Sequence, residues 1–465
     1  MTATLEDLRA AIGGRLLQGR LDDGFAGASI DSRSLRAGNL FFAVKGERTD
    51  GHVFVTDANR RGAAGAVVEK MPVRTPASRA LARNFPLIRV ESTVRALQRG
   101  AAWYRSRFHL PVIAITGSNG KTTVKDMTAW LLRGALRADV LASRGNHNNH
   151  LGVPLTLFGL SAETRAAVLE LAMNHGGEIR RLARLAAPGT GVLLNAHAAH
   201  LMSFRSVSEI ARAKAELLEE LPAGGWAILN ADDGRVWARR GSTAARVIGF
   251  GVRTGDVRAE RVRLNRRGEP SFVLRTPGGS AEASLSLPGA HNAVNAAAAA
   301  AVGWTFGMAP TAIAHWLGAF RSAAPFRLER RRLHGGGLAV VDCYNANPGS
   351  YRAAFSCLRG MKARRPVLVL GEMRELGSHS ARAHRAVGVE AASLDPRLLV
   401  GVGGGARGLV TAARRAGAAR ALWVKSPEEA IEVLAPEMGG DSVILFKASR
   451  KVEMERLVEK LEGNN

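Results

Sequence analysis

Short apolar runs recur along the chain, each ending at polar residues and most followed by a stretch with apolar positions at helical spacing. Residues 112–116, 167–171, 192–195 and 226–229 form one series, and residues 338–341, 367–370, 398–402, 421–424 and 443–446 form another. Strands alternating with helices in this way predict parallel sheets built from βα units. Between the two series, residues 256–287 alternate apolar and polar positions around turns at Arg267-Gly268 and Gly278-Gly279, which predicts an antiparallel meander. Ahead of both, residues 1–85 mix short strands at 40–44 and 65–68 with turns at Asp50-Gly51 and Pro72. A helix over 92–107 links this small α/β unit to the next. The expectation is an α/β protein of three domains. A central domain of the P-loop, parallel-sheet type is flanked by a small N-terminal α/β domain and a C-terminal Rossmann-like domain.

Composition narrows the picture. At 465 residues, 46% hydrophobic and 23% charged, the chain is long enough for several cores and has the balance of an ordinary globular protein. The net charge of +25 raises nucleic acid, anionic membranes and phosphorylated small molecules as partners. Arginine is scattered through an Ala- and Gly-rich background without the basic clusters of a binding arm, so no nucleic-acid partner is expected. Two cysteines, Cys343 and Cys357, provide neither a disulfide framework nor a metal knuckle. No apolar stretch reaches the length of a membrane span, and Met1 to Arg15 lacks the apolar core of an export signal. These features predict a cytoplasmic protein without membrane insertion, expected to be monomeric.

The strongest chemical signal is Ile113-Ala114-Ile115-Thr116-Gly117-Ser118-Asn119-Gly120-Lys121-Thr122-Thr123, an apolar strand, a glycine-containing loop and Lys-Thr opening a helix. Glycines let backbone N–H groups converge on phosphate oxygens, and the helix N-terminus adds partial positive charge. Lys121 can reach the terminal phosphates and a threonine hydroxyl can bind magnesium, which points to ATP with Mg2+. The loop is shorter than the common G-x-x-x-x-G-K-[ST] form, because Ile115 stands where its first glycine should be. Ligands of open parallel sheets sit beyond the carboxyl ends of the strands, so Glu170, Asn195 and His200 should face the same crevice. A carboxylate at Glu170 would give magnesium a hard oxygen ligand. Two other patterns lead elsewhere. Gly401-Val402-Gly403-Gly404-Gly405-Ala406 follows a strand but has no acidic partner about twenty residues on, so it reads as structural. His147, His150 and His175 lack zinc spacing and read as loop hydrogen-bonding residues.

The short loop Thr116 to Thr123 resembles that of the Mur ligase family, the ATP-dependent ligases that build the peptide stem of peptidoglycan. Further segments agree in order: Gly145-Asn146-His147-Asn148-Asn149-His150-Leu151-Gly152-Val153-Pro154, Glu170-Leu171-Ala172-Met173-Asn174-His175-Gly176-Gly177-Glu178-Ile179 and Asp342-Cys343-Tyr344-Asn345-Ala346-Asn347-Pro348. Asp31-Ser32-Arg33 near the start and Lys447-Ala448-Ser449-Arg450 near the end extend the likeness over nearly the whole chain. The three longer segments look like the branch that joins D-alanyl-D-alanine to UDP-N-acetylmuramoyl-tripeptide. The resemblance implies a UDP-substrate domain at 1–85, an ATP-binding domain at 86–325 and a ligase domain at 326–465 that closes over the site. It implies Ser32 and Arg33 at the uridine nucleotide and the loop Thr116 to Thr123 at the triphosphate. It likewise implies Asn292 and Asn295 at the adenine, and Arg327 and Asp342 at the nucleotide from the C-terminal side. Thr122, Glu170 and His200 would serve magnesium. Lys214, which by itself reads as an exposed helix lysine, occupies the place of the family's carbamylated lysine. Asn345, Asn347 and the segment 371–377 are candidates for the dipeptide site. Glu372, Ala448 and Phe326 stand where relatives tend to have aspartate, glycine and glycine.

The implied reaction is phosphorylation of the tripeptide carboxylate by ATP to an acyl phosphate, followed by attack of the dipeptide amine. Lys121, Lys214, His200 and Glu170 are the residues expected around the chemistry, and no nucleophilic side chain is required. Closure over two substrates predicts hinges near residues 85–110 and 320–335.

Overall fold

The computed structural model describes residues 3–47, 49–71, 81, 83–198, 202–322 and 325–462. The turn expected at Pro72 and the candidate ligand His200 lie outside the described residues.

Three sheets follow one another along the chain. The first has five strands in the order Arg15–Gln18, Leu87–Arg89, Gly65–Val68, Leu40–Phe42 and Ala28–Ser29, with only the Arg15–Gln18 edge antiparallel. Leu40–Phe42 and Gly65–Val68 are continuous apolar runs and are buried throughout, as strands covered on both faces must be. The helix Leu5–Ile12 before them begins with a reciprocal capping box between Thr4 and Asp7 and ends at Gly13 in the left-handed conformation.

The second sheet has nine strands. Its parallel part runs Asp139–Ala142, Thr164–Glu170, Val112–Thr116, Thr190–Leu193, Trp226–Asn230, Arg246–Gly251 and Val257–Leu264. Pro270–Thr276 and Gly279–Ser284 complete it as antiparallel strands, the meander expected from the alternating pattern. Val112–Thr116 is buried at every position and lies between two parallel neighbours, so its carboxyl end opens into the middle of the sheet's edge crevice. The helix His291–Thr305 packs against this sheet and against the helix Lys121–Leu136. Ala296 to Ala301 are all fully buried there, and their small side chains let the helix approach closely.

The third sheet has six strands: Glu329–Arg332, Leu338–Asp342, Val443–Lys447, Val367–Gly371, Leu398–Val402 and Ala421–Val424. Five correspond to the apolar runs of the sequence and are parallel. The antiparallel edge Glu329–Arg332 was not expected, because its Glu-Arg-Arg-Arg sequence carries no apolar signal; charge on an edge strand is a common guard against pairing with other chains. In the glycine run that begins within Leu398–Val402, Gly401 is held by close packing. A Cβ on Gly401 would lie 2.4 Å from Val410 of the following helix, and the Glu372 carboxylate accepts from the Gly405 N–H at 3.2 Å, occupying the loop with negative charge.

The linking helix Thr93–Ser106, capped by Ser92, joins the first two units into one apolar core. Leu40, Phe42 and Ile88 belong to the same cluster as Phe158, Leu169 and Leu182. A hinge at 85–110 would have to open that core. The clusters of the third unit draw only on residues from 326 onward.

Candidate active site

The glycine loop is shaped by close approach. A Cβ on Gly117 would fall 2.8 Å from the Leu194 Cβ. Gly120 has φ of +84°, and a Cβ there would fall 2.6 Å from the Asn295 Oδ1, so glycine is required on both counts. Thr116 ends the buried strand behind the loop, and Thr123 lines the cavity in front of it. Asn195 holds the loop from the neighbouring strand end. Its backbone carbonyl accepts from Ser118 N–H at 3.0 Å, its Oδ1 accepts from Asn119 N–H at 2.9 Å, and its Nδ2 donates to the Asn119 carbonyl at 3.0 Å. The Lys121 ammonium curls back and donates to the Gly117 carbonyl at 2.9 Å. Burial pushes its pKa down, Glu170 pulls it up, and Arg327 pushes it further down.

Glu170, at the end of the strand Thr164–Glu170, is the organising carboxylate. It accepts from the Thr122 hydroxyl at 2.8 Å and from Asn148 Nδ2 at 2.9 Å, while its own N–H donates to Ser143 Oγ at 3.1 Å. Arg327 crosses from the third unit to donate to the Thr122 hydroxyl at 3.0 Å, and its guanidinium lies 4.1 Å from the Tyr344 ring centroid. Phe326, just before it, holds φ at +60°, a left-handed conformation that favours glycine over a bulky side chain.

Lys214 is 1% exposed, which corrects the reading of it as a surface lysine. Its helix Val207–Glu219 buries Ala211, Ala213, Ala215, Leu217 and Leu218 as well, so the helix is covered nearly all round. Glu216 on the same helix meets the N-terminus of the preceding helix, Glu178–Ala186, accepting from Gly177 N–H at 2.8 Å and Arg180 N–H at 3.0 Å. Burial holds the pKa of Lys214 well below 10.5, the charge of Lys121 lowers it further, and Glu170 opposes both.

A cavity of about 740 Å³ brings most of the sequence candidates together. The residues from Ser118 to Thr123 form one wall with Glu170, Asn292 and Asn295 stand on another, and Arg327, Asp342 and Asn345 face them from the third unit. Asn292 donates to the Pro288 carbonyl at 2.8 Å, and Asn295 donates to Asn292 Oδ1 at 2.9 Å, so the two amides form a fixed pair in the first turn of their helix. Asp342 is paired with the fully buried Lys447 at 2.5 Å. Asn347 is 3% exposed, and its side chain caps the helix Pro348–Gly360 and reaches the glycine loop. Ser32 and Arg33 stand apart from this cavity. Ser32 is buried in a short helical turn capped by Asp31, and Arg33 pairs with Asp31 at 2.7 Å. A second cavity of about 730 Å³ shares Asn148 and Ala172 with the first and is lined by Arg99, His150, His175 and Arg181.

Sequence reasoning gave no role to Asn148, His197, His291 and Lys447, which all touch the first cavity. Burial lowers the pKa of His197 and His291. Asn148 could have been found from the Gly-Asn-His-Asn-Asn-His segment, His291 from its place directly before Asn292, and Lys447 from its place at the head of the Lys447-Ala448-Ser449-Arg450 segment, although nothing local marks its pairing with Asp342.

A glycine loop between a buried parallel strand and a helix, with a carboxylate at the next strand end and an arginine delivered by a second α/β unit, defines a nucleoside-triphosphate-dependent enzyme. Comparison with known proteins gives the family. Residues 25–105 match the Mur ligase family catalytic domain, residues 115–303 the Mur ligase middle domain, and residues 326–450 the Mur ligase glutamate ligase domain. The UDP-N-acetylmuramoyl-tripeptide–D-alanyl-D-alanine ligase of Escherichia coli (strain K12) is 37% identical over 469 residues, covering 100% of this chain and 99% of that one. A crystal structure of MurF from Acinetobacter baumannii superposes with a TM-score of 0.88 at 33% identity, over 99% of both chains. The MurF ligase of Thermotoga maritima in complex with ADP superposes with a TM-score of 0.80 at 28% identity, over 94% of this chain and 97% of that one. The chain belongs to the Mur ligase family. Among the described residues no helix is long and apolar enough to cross a membrane.

Proposed function

We propose that this protein joins D-alanyl-D-alanine to UDP-N-acetylmuramoyl-tripeptide at the expense of ATP, giving the pentapeptide precursor of peptidoglycan with ADP and phosphate. The observation that carries this reading is the cavity in which the glycine loop, Lys121 and Glu170 face Arg327 and Asp342 of the closing unit. A terminal carboxylate oxygen of the tripeptide attacks the γ-phosphorus, the bond to the β-phosphate bridging oxygen breaks, and ADP leaves. The dipeptide amine then adds to the acyl phosphate carbonyl. The tetrahedral oxyanion collapses, the amine loses a proton, and inorganic phosphate departs. Lys121, the loop N–H groups of Gly117 and Gly120, and Arg327 stabilise the charge that builds in both steps, while the Ser118 and Asn119 N–H groups hold the loop in shape through Asn195. The substrates bring the carboxylate and amine, so no side-chain nucleophile is needed.

Magnesium fits the residues present. The Thr122 hydroxyl and Glu170 carboxylate are adjacent hard oxygen donors beside the loop, and this ion commonly takes only one or two protein ligands beside triphosphate. We assign Thr122, Glu170 and a carbamylated Lys214 to holding it, with His200 as a further candidate; the ion would offset phosphate charge. Carbamylation suits Lys214 chemically, because a buried amine pushed toward its neutral form can add carbon dioxide, and the product replaces a repelling ammonium with an anionic oxygen donor. Asn292 and Asn295 are assigned to the adenine, Asp342 to the nucleotide, Ser32 and Arg33 to the uridine nucleotide, and Asn345 to the dipeptide. The second cavity, lined by Arg99, Arg181 and Arg184 and adjacent to the first at Asn148 and Ala172, suits the anionic muramyl peptide. Domains at 1–85, 86–325 and 326–465, a monomeric state and a cytoplasmic setting complete the proposal.

The test is phosphate release from ATP with UDP-N-acetylmuramoyl-tripeptide, with the dipeptide present, omitted, or replaced by single amino acids. Turnover is expected with D-alanyl-D-alanine; preference for a single amino acid would overturn the assignment. Lys214→Ala is expected to lose at least about tenfold in rate and to be partly rescued by small carboxylic acids. Full activity without rescue would remove Lys214 from the metal site.

A further inference from the structure

The glycine loop is held by the third unit as well as by its own sheet. Asn347 Nδ2 donates to Asn119 Oδ1 at 2.8 Å, and Asn119 Nδ2 faces Asn347 Oδ1 at 3.4 Å, a reciprocal amide pair between residues 228 apart in sequence. The orientation of Asn347 is dictated chemically. Its Oδ1 accepts from the Ser350 N–H at 2.9 Å as the cap of the helix Pro348–Gly360, so its Nδ2 must face outward, where only an acceptor can meet it. The slot is sterically closed around the pair. A Cβ on Gly349 would lie 3.2 Å from Asn119 Nδ2, 3.3 Å from Asn347 Oδ1 and 3.4 Å from His197 Cδ2. The Asn119 backbone is already fixed by Asn195, which leaves its side chain free to report on the third unit alone.

We propose that Asn347 is a positioning residue for phosphoryl transfer, acting through Asn119: the amide pair latches the closed third unit directly onto the phosphate-binding loop. Closure brings Arg327 to Thr122 and, in the same movement, completes the support of the loop from outside the central sheet. Opening leaves both amides to water. The helix cap survives either way, because it belongs wholly to the third unit.

The inference rests on the ligase reading for its kinetic arm only. Asn119→Ala keeps the backbone bonds to Asn195, and Asn347→Ser keeps a good cap while falling short of Asn119. Each single variant is expected to lower kcat about five- to tenfold, the worth of one or two net hydrogen bonds, with KM for ATP unchanged within about twofold. The double variant is expected to be no slower than either single one. In solution scattering, all three variants should show the same increase in radius of gyration over wild type. Additive losses in kcat, or an unchanged rate in Asn347→Ser with an active wild type, would overturn the latch. If wild type failed to turn over the dipeptide, the ligase reading would fall instead, and scattering would still decide: variants as compact as wild type reject the latch.

Discussion

The central unit meets its two neighbours in opposite ways. Toward the N-terminus the junction is apolar. Phe158 lies 6.0 Å from Phe25, 5.9 Å from Phe42 and 5.5 Å from Tyr104, measured between ring centroids, within the cluster that runs through Leu97 and Ala101 of the linking helix. Toward the C-terminus the junction carries polar contacts, Arg327 on Thr122, Asn347 on Asn119, and Arg330 on Glu269 at 2.6 Å, beside smaller apolar ones where Leu264 packs on Gly360 and Met361 on Gly268. Water offers no substitute for buried apolar contact, whereas it replaces hydrogen bonds and ion pairs at little net cost. On that ground the first junction is expected to be the stiffer of the two, with opening expected between the second and third units.

The largest effect expected from breaking this contrast is at Phe158. Phe158→Ala should cost about 3–5 kcal/mol, and the N-terminal and central units should still melt together in calorimetry. A separate early transition for the N-terminal unit would show that the junction is no stiffer than the other. Arg327→Ala attacks the polar joint. There kcat/KM should fall about a hundredfold while the melting temperature stays within about 2 °C, since the contact is made across the opening surface. A large drop in melting temperature would mean that the third unit is bound as firmly as the first.

Acidification should sharpen the contrast with the smallest effect. Burial holds His197 and His291 below the ordinary imidazole value of 6.5; Asp233 pulls His197 upward against Arg352 and Arg235, and Asp342 pulls His291 upward against Lys447. Both therefore stay neutral in the closed joint and gain a proton on opening, so closure weakens as pH falls below 6.5 toward the depressed values and is unaffected above. Scattering between pH 7 and 5 should show gradual expansion without melting of the apolar core. A joint that tightens on acidification would contradict the sign of both shifts.

The parallel strands were readable because strands covered on both faces become continuous apolar runs, as at 112–116 and 398–402. Glu329–Arg332 escaped because an edge needs no apolar face. In the site, the phosphate loop was legible because all its parts are local: strand, glycines and Lys121 lie within a dozen residues. Lys214 was misread because the covering of its helix comes from tertiary packing, which leaves a lysine looking like any other. Asn148 beneath Glu170, Lys447 beneath Asp342 and the pairing of Asn119 with Asn347 depend on residues brought together from distant segments. Family resemblance supplied places for Lys214 and Arg327 but not these partners.

The alanine run from Ala296 to Ala301 has a bearing on how this site can change. Its helix begins with His291, Asn292 and Asn295, and Asn295 also abuts Gly120. A bulkier residue anywhere in the run would lift the helix from the sheet and, through that rigid rod, tilt the asparagine pair against the glycine loop. Variation here is thus throttled by a shortage of room far from any ligand, and substitutions that leave every proposed contact residue intact should still detune nucleotide affinity.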